Sequence, residues 1–231
     1  MSQGFQFKQF FVSHQHCAMK VGTDGVLLGL WAALPVAGTV LDLGTGSGLI
    51  ALMLAQRSRD LTITGLELDM AASVQAKDNA QNSPFAKRLK MVQGDMRQWQ
   101  APATLVVSNP PYFDPGVRSA DPRRDLARYG GHLPAEVLAA ELARLSEHSA
   151  ALVLPWQSWR RYHQAMVAAG FHLARCCAVY GHRRSHQPTR ALLQWQKTPL
   201  KAHYSALWLK GHDGQWSRRF RRLGKDFYLA F

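Results

Sequence analysis

The chain predicts an α/β protein built on an open, mostly parallel sheet with helices on both faces. Two observations carry that expectation. From residue 39 onward, short runs of Val, Ile and Leu alternate with longer segments whose apolar residues recur at helical spacing, and strands that alternate with helices assemble into parallel sheets. The first run ends in Gly44, Gly46 and Gly48 just before an apolar helical segment. A strand, a glycine turn and a helix start together expose backbone N–H groups to a ligand.

The elements follow in order. Gly22 and Gly25 bracket a polar turn with Thr23 and Asp24, and the apolar stretch 26–33 behind it reads as a helix that either side chain is able to cap. Strands are expected at 40–43, 62–66, 89–93 and 104–108, with helices at 49–56 and 70–82. After an irregular stretch, 134–147 reads as a helix, 150–154 as a strand, 156–169 as a helix, and 172–179 and 191–196 as a closing strand pair. That makes seven strands, the antiparallel one at the C-terminal edge. Beyond them Trp216, Phe220, Leu223 and Phe227 recur at helical spacing, so Arg218, Arg219, Arg221, Arg222 and Lys225 would form the outer face of an amphipathic helix. In such sheets a ligand lies across the carboxyl ends of the strands, where Gly44, Glu67, Asp95 and Asn109 all fall.

Composition narrows the classes. At 231 residues and 47% hydrophobic content the chain holds enough material for one large core. Cys176 and Cys177 are adjacent and Cys17 is remote, which is neither a disulfide framework nor a metal spacing, so a reducing compartment is expected. His14 and His16 lack a third ligand, and no metal is expected. The longest apolar stretch, 26–38, is broken by Pro35 and is shorter than the ~20 residues that cross a bilayer. With no export signal at the start, a soluble, cytoplasmic protein outside any membrane is expected, as a monomer.

Charge is split unevenly. Residues 1–115 carry nine Lys and Arg against eight Asp and Glu, whereas residues 116–231 carry nineteen against seven. Clustered cations of this kind neutralise phosphates, so a nucleic acid that meets the C-terminal half is the natural partner. The clusters are Arg118, Arg123, Arg124 and Arg128; Arg183, Arg184 and Arg190; and the terminal group from Arg218. For the terminal group, a merely solvated face is an equal reading.

Two motifs carry chemistry. Asp42-Leu-Gly-Thr-Gly-Ser-Gly has the wrong glycine spacing for a dinucleotide and lacks the Gly-Lys-Ser/Thr ending of a P-loop. An acid at Asp42 suits a cofactor with an amine. Asn109-Pro110-Pro111-Tyr112 follows the strand at 104–108, and its prolines restrict where the Asn109 side chain and the following carbonyls point. Two acceptors and an aromatic face suit a planar amide or amino group held edge-on. An ordinary strand-to-loop turn stays open for these four residues taken alone.

Together and in this order the two motifs resemble the class I S-adenosylmethionine-dependent methyltransferases that modify planar nitrogens. The resemblance implies a Rossmann-like fold, S-adenosyl-L-methionine as cofactor, and cofactor contacts at Asp42, Gly44, Gly46, Gly48 and Asn109. It also implies Glu67 on the ribose hydroxyls, Asp95 on the adenine edge and Met96 against the ring. The segment from Phe7 to Trp31, with Cys17-Ala-Met-Lys-Val-Gly-Thr-Asp-Gly, is similar to the start of the bacterial enzymes that methylate N6 of adenine 37 in valine tRNA. The similarity continues through Ala127-Arg128-Tyr129 and the closing Phe227-Tyr228-Leu229. In that family the stretch with Lys20, Thr23 and Asp24 lies over the methionine end of the cofactor.

The implied catalytic group is Asn109, Pro110 and Tyr112. Pro111, Tyr112, Arg118, Arg123, Arg124, Arg128 and Arg190 are expected to meet the tRNA. A single domain follows, with 1–38 covering the cofactor, 39–112 binding it and 113–231 facing substrate. Methylation of a glutamine in release factors, methylation of DNA adenine, and RNA binding without catalysis remain alternatives at this stage. The same Asn-Pro-Pro-Tyr turn fits a carboxamide; the basic C-terminal half and the N-terminal similarity to the tRNA enzymes argue against it.

Overall fold

The computed structural model describes residues 3–17, 20–110 and 134–230. Its centre is an eight-stranded sheet. The strands are β3 (Gly38–Leu43), β4 (Leu61–Glu67), β5 (Leu89–Gln93), β6 (Ala103–Ser108), β7 (Ser146–Pro155), β8 (His172–His182), β9 (Arg190–Gln196) and β10 (His203–Lys210). They lie in the order β10-β8-β9-β7-β6-β3-β4-β5. Only β9 runs against its neighbours.

The helices are α1 (Thr23–Trp31), α2 (Leu49–Arg57), α3 (Met70–Gln81), α4 (Ala135–Leu145), α5 (Trp159–Ala168) and α6 (Arg218–Gly224). Two apolar layers result. One packs α1, α2 and the N-terminal residues against one face around Met53, Leu28 and Ile63, and the other packs α4 and α5 against the opposite face around Leu142, Leu152 and Trp195. Both faces are covered, as a parallel sheet requires.

Three expectations need correction. The sheet has eight strands instead of seven, and the antiparallel strand is interior: β9 fills the gap between β7 and β8. Burial explains why. Ala191, Leu192, Leu193 and Trp195 are all fully buried, so β9 needs a neighbour on each side and a cover on each face. The edge belongs instead to β10, in which Leu207 is the one buried residue and Tyr204 is 66% exposed. Its short apolar run, 206–209, follows β9 with no helix between them, so the alternation of strand and helix does not predict it.

Second, the helix expected at 134–147 stops at Leu145 and the chain enters β7 directly at the buried Ser146. Third, the terminal helix spans only seven residues. Ser217 caps it by accepting from the Phe220 N–H at 3.1 Å, and Trp216 lies before it in a bridge to Lys210. Its basic residues are exposed and Phe220 and Phe227 are buried, as the spacing implied.

A short hairpin, β1 (Gly4–Gln6) with β2 (Phe11–Ser13), was not foreseen from the sequence. Phe7 and Phe10 stack at 4.7 Å in its turn and bury fully against the core. The hairpin thereby anchors the first residues beside α3 and the glycine turn.

Candidate active site

Register brings the motifs together. Leu43 pairs with Leu66 on one side and with Ser108 on the other, so Gly44, Glu67 and Asn109 leave adjacent strands side by side. Glu67 pairs with Gln93, which puts Asp95 two residues beyond the next strand end. Parallel strands 4.7–4.9 Å apart thus spread four ligand groups along one rim. The Ser108 hydroxyl ties this arrangement by donating to the Leu43 carbonyl at 2.8 Å, a link between the two motifs inside the sheet.

The glycine turn is shaped by backbone conformation. Gly44, Gly46 and Gly48 have φ of 67°, 56° and 80°, a region that side chains with a Cβ avoid. A Cβ at Gly44 or Gly46 would meet nothing within 4 Å, so open space stands in front of both. Behind the turn, Asp42 is completely buried. Its Oδ2 accepts from the Thr45 hydroxyl at 2.6 Å and from the Ala51 N–H at 3.2 Å, fastening the turn to the first turn of α2. Oδ1 has no partner among the described residues. Burial pushes the Asp42 carboxyl up to about 7, against the pull of these hydrogen bonds. Asp42, expected at the cofactor amine, thus meets the crevice through the loop it holds.

Glu67 stands at the mouth of the turn. One carboxylate oxygen accepts from the Gly46 N–H at 2.8 Å and the other from the Asp69 N–H at 3.0 Å. Each oxygen keeps a lone pair, so a diol can still donate to both. Next to it Leu68 is 58% exposed and Met70 61% exposed. Exposed apolar side chains at a polar strand end form a floor for a flat ring.

The N-terminal segment closes one side. Asn79 is buried on α3; its side chain accepts from the Ser13 N–H and donates to the carbonyls of Ser13 and Ser47, at 2.8–3.0 Å. Ser47 belongs to the glycine turn, so one amide fixes hairpin and turn together. Gln75, one helical turn earlier, accepts from the Ser13 hydroxyl. Further along, burial and the nearby Glu67 and Asp69 carboxylates push the Cys17 thiol up to about 12.

The remaining expected residues divide. Asn109 is half-buried and Pro110 buried at the rim. Gly22, not Thr23 or Asp24, occupies the cap position of α1. Thr23 and Lys20 are exposed, while Asp24 is paired with Arg190, whose Nε lies 3.0 and 2.9 Å from its two oxygens. Two residues expected at different ligands therefore meet each other at the start of β9. Asp95 is held by Arg97, whose guanidinium and backbone N–H donate to it and lower its pKa. Met96 is half-buried. Pro111, Tyr112, Arg118, Arg123, Arg124 and Arg128 lie outside the described residues.

Ser108, Asn79, Gln75 and Leu68 were not singled out from the sequence. A signal existed for two of them: Gln75 and Asn79 share the buried stripe of α3 with Ala72 and Ala76. Polar residues on a buried stripe imply specific partners. Among the described residues no group of three His, Cys, Asp or Glu is placed to hold a metal, and no helix is long and apolar enough to cross a membrane.

Known proteins share this architecture. The profile of the methyltransferase small domain matches residues 16–125. A tRNA1(Val) (adenine(37)-N6)-methyltransferase of Citrobacter koseri is 43% identical over 98% of this chain and 95% of its own length, and one of Klebsiella pneumoniae is 42% identical over the same shares. Among solved structures, a predicted O-methyltransferase from Agrobacterium tumefaciens aligns with a TM-score of 0.69 at 16% identity, covering 88% of this chain and 96% of that one. A glycopeptide N-methyltransferase complexed with S-adenosyl-L-homocysteine aligns at a TM-score of 0.50 and 15% identity, over 70% and 84% of the two chains. The structural likenesses establish the Rossmann-like fold. The sequence relatives, alike over nearly their whole length, establish more: the chain belongs to the tRNA1(Val) (adenine(37)-N6)-methyltransferase family.

Proposed function

We propose that the chain transfers a methyl group from S-adenosyl-L-methionine to N6 of an unpaired adenine in tRNA, adenine 37 of valine tRNA, and works in the cytoplasm. Family membership supports the substrate. The observation that supports the chemistry is the register that sets Asn109 beside the glycine turn.

The crevice fits the cofactor: open space faces two positive-φ glycines, and a strand-end carboxylate with spare lone pairs adjoins an exposed apolar floor. Gly44 and Gly46 would admit its close approach, Glu67 would take the ribose hydroxyls, and Leu68 with Met96 would flank the adenine. Asp95 would accept from the adenine edge, and Lys20, Thr23 and Asp24 would cover the methionine end. Bound there, the sulfonium supplies an electrophilic methyl.

The protein's task is to prepare the nitrogen. The lone pair of an exocyclic amine is delocalised into the purine ring, so N6 attacks only as it becomes tetrahedral. The side-chain oxygen of Asn109 and the carbonyl of Pro110 would accept hydrogen bonds from the two N6–H groups and favour that geometry; methyl transfer would leave S-adenosyl-L-homocysteine and a cationic N6 that loses one proton to solvent. Tyr112 would stack on the purine, with Pro111 as its neighbour at the substrate. Rate then comes from placement and fixed dipoles, without a strong base. An unpaired loop base enters such a pocket at lower cost than a stacked one.

The test is transfer of radioactive methyl to total tRNA, release factor and DNA. Label is expected in tRNA, at one adenine of valine tRNA on nuclease mapping. Label confined to release factor or DNA would overturn the proposal.

A further inference from the structure

The carboxyl ends of β8 and β10 carry a feature that methyl transfer itself does not need. Tyr180 and Trp208, paired across the two strands, lie nearly parallel with ring centroids 5.0 Å apart and 16° between planes. The Arg183 guanidinium sits 4.0 Å over the Trp208 ring, and the Arg183 N–H donates to the Lys210 carbonyl at 2.9 Å. The Lys210 ammonium lies 5.6 Å from the Trp216 ring. Arg183, Lys210 and Trp216 are exposed; Tyr180 and Trp208 are half-buried.

We propose that this platform is a second RNA contact, holding a backbone phosphate and one unpaired base of the same tRNA whose adenine enters the catalytic crevice. This rests on the tRNA reading and extends it. Topology gives the first argument. β8 and β10 run in the same direction as β6, so the platform shares the rim on which Asn109 lies. β8 is three strands from β6 and β10 four. At about 4.8 Å per strand this is roughly 14–19 Å. That exceeds the reach of one nucleotide and suits its neighbours in a loop.

Chemistry gives the second. A guanidinium stacked on an indole keeps its N–H edge free in a fixed plane for phosphate, and aromatic rings beside cations are how single-stranded RNA is held without sequence reading. Neither Arg183 nor Lys210 forms an ion pair among the described residues. The one acid in the adjoining turn, Asp213, accepts from the Gln215 N–H instead. Charge gives the third: the platform belongs to the half with nineteen Lys and Arg against seven Asp and Glu.

The experiment measures tRNA affinity by filter retention over a range of salt, together with kcat, KM and S-adenosylmethionine affinity. Variants are Arg183→Glu, Lys210→Glu, Trp208→Ala and Trp208→Phe. Arg59→Ala with Lys87→Ala, exposed at the opposite amino ends of β4 and β5, serves as the charge control. For Arg183→Glu the tRNA Kd and KM are expected to rise about tenfold or more, and the salt slope to fall by about one. kcat at saturating tRNA and cofactor affinity should stay within about twofold. Trp208→Phe should bind nearly as the wild type while Trp208→Ala does not; since Arg183→Glu changes only an exposed side chain, misfolding does not enter its result.

An unchanged tRNA affinity in Arg183→Glu and Lys210→Glu overturns the platform as an RNA site, and leaves it to an acidic protein partner. An equal loss in the Arg59 and Lys87 control also overturns it, because charge alone would then suffice. Wild-type protein that methylates no tRNA would instead remove the substrate reading beneath it.

Discussion

The two ends of the strand rim are built by opposite means. On the β3–β4–β6 side, groups that face the crevice are set by backbone: three positive-φ glycines, a buried carboxylate behind them, and a rigid Asn-Pro turn. On the β8–β10 side they are long cationic and aromatic side chains with exposed heads. Buried order suits a small cofactor that must be placed within a fraction of an ångström. Exposed charge suits a large polyanion gripped at many points, where any single contact is dispensable. Loss of one residue should therefore be severe on the first side and partial on the second.

The sharpest contrast is Asn109→Ala. Removing one aimed acceptor should lower methyl transfer on the order of 10²-fold while cofactor affinity changes by less than about threefold. Single-turnover transfer and calorimetric titration with S-adenosylmethionine check both parts. Near wild-type turnover would take Asn109 out of the chemistry and dissolve the comparison.

Reversing Arg218, Arg219, Arg221 and Arg222 together probes the opposite side. If α6 helps grip tRNA, affinity should drop by more than tenfold and the salt slope should fall, with cofactor binding intact. An unchanged slope would mark the helix as a solvated face and remove it from the RNA contact. Arg219 contributes least to phosphate, since it already donates to the Ala206 carbonyl at 2.7 Å.

Within the cofactor side, Asn79→Ala should separate the hairpin from the glycine turn. Losing one amide leaves the Ser13 and Ser47 backbone groups short of partners, at a cost of about 1–3 kcal/mol. Cys17 reports on it. Thiol labelling, slow in the wild type because burial and two carboxylates keep the thiol protonated, should quicken several-fold in the variant. Equal labelling would show that the N-terminal segment is held without Asn79.

What the sequence made legible follows the same division. Gly44, Gly46 and Gly48 could be read because positive φ restricts the choice of residue, and Asn109 because two prolines follow it. β3 and β6 could be read because their buried stretches are short apolar runs. β10 also carries an apolar run, 206–209, but no helix separates it from β9, so the alternation of strand and helix does not mark it. The position of β9 was missed because chain order says nothing of which gap a hairpin fills. Asn79 and Ser108 act through neighbours distant in sequence, by 66 and 65 positions. Likewise the sequence does not show that Arg190 pairs with Asp24, 166 positions away.

The smallest expected effect on methyl transfer concerns Asp42, and pH isolates its effect on stability. Its carboxyl titrates at about 7 in the folded chain against 3.8 in an unfolded one, because burial disfavours the charge. Between those values the native state keeps a proton that the unfolded state has released. Stability from this group is thus complete below about pH 4 and is lost as pH rises through about 7; above that both states are ionised and the slope ends. Asp42→Asn keeps an acceptor for Thr45 and Ala51 but has no proton to lose. Urea unfolding from pH 5 to 8 should show the wild type falling relative to the variant by about 2–3 kcal/mol, with the curves parallel above pH 8. Cofactor affinity in the variant should change little, because the loop is held by the same oxygen. Parallel curves throughout would mean that the turn opens to water around Asp42, and that its order comes from the glycines alone.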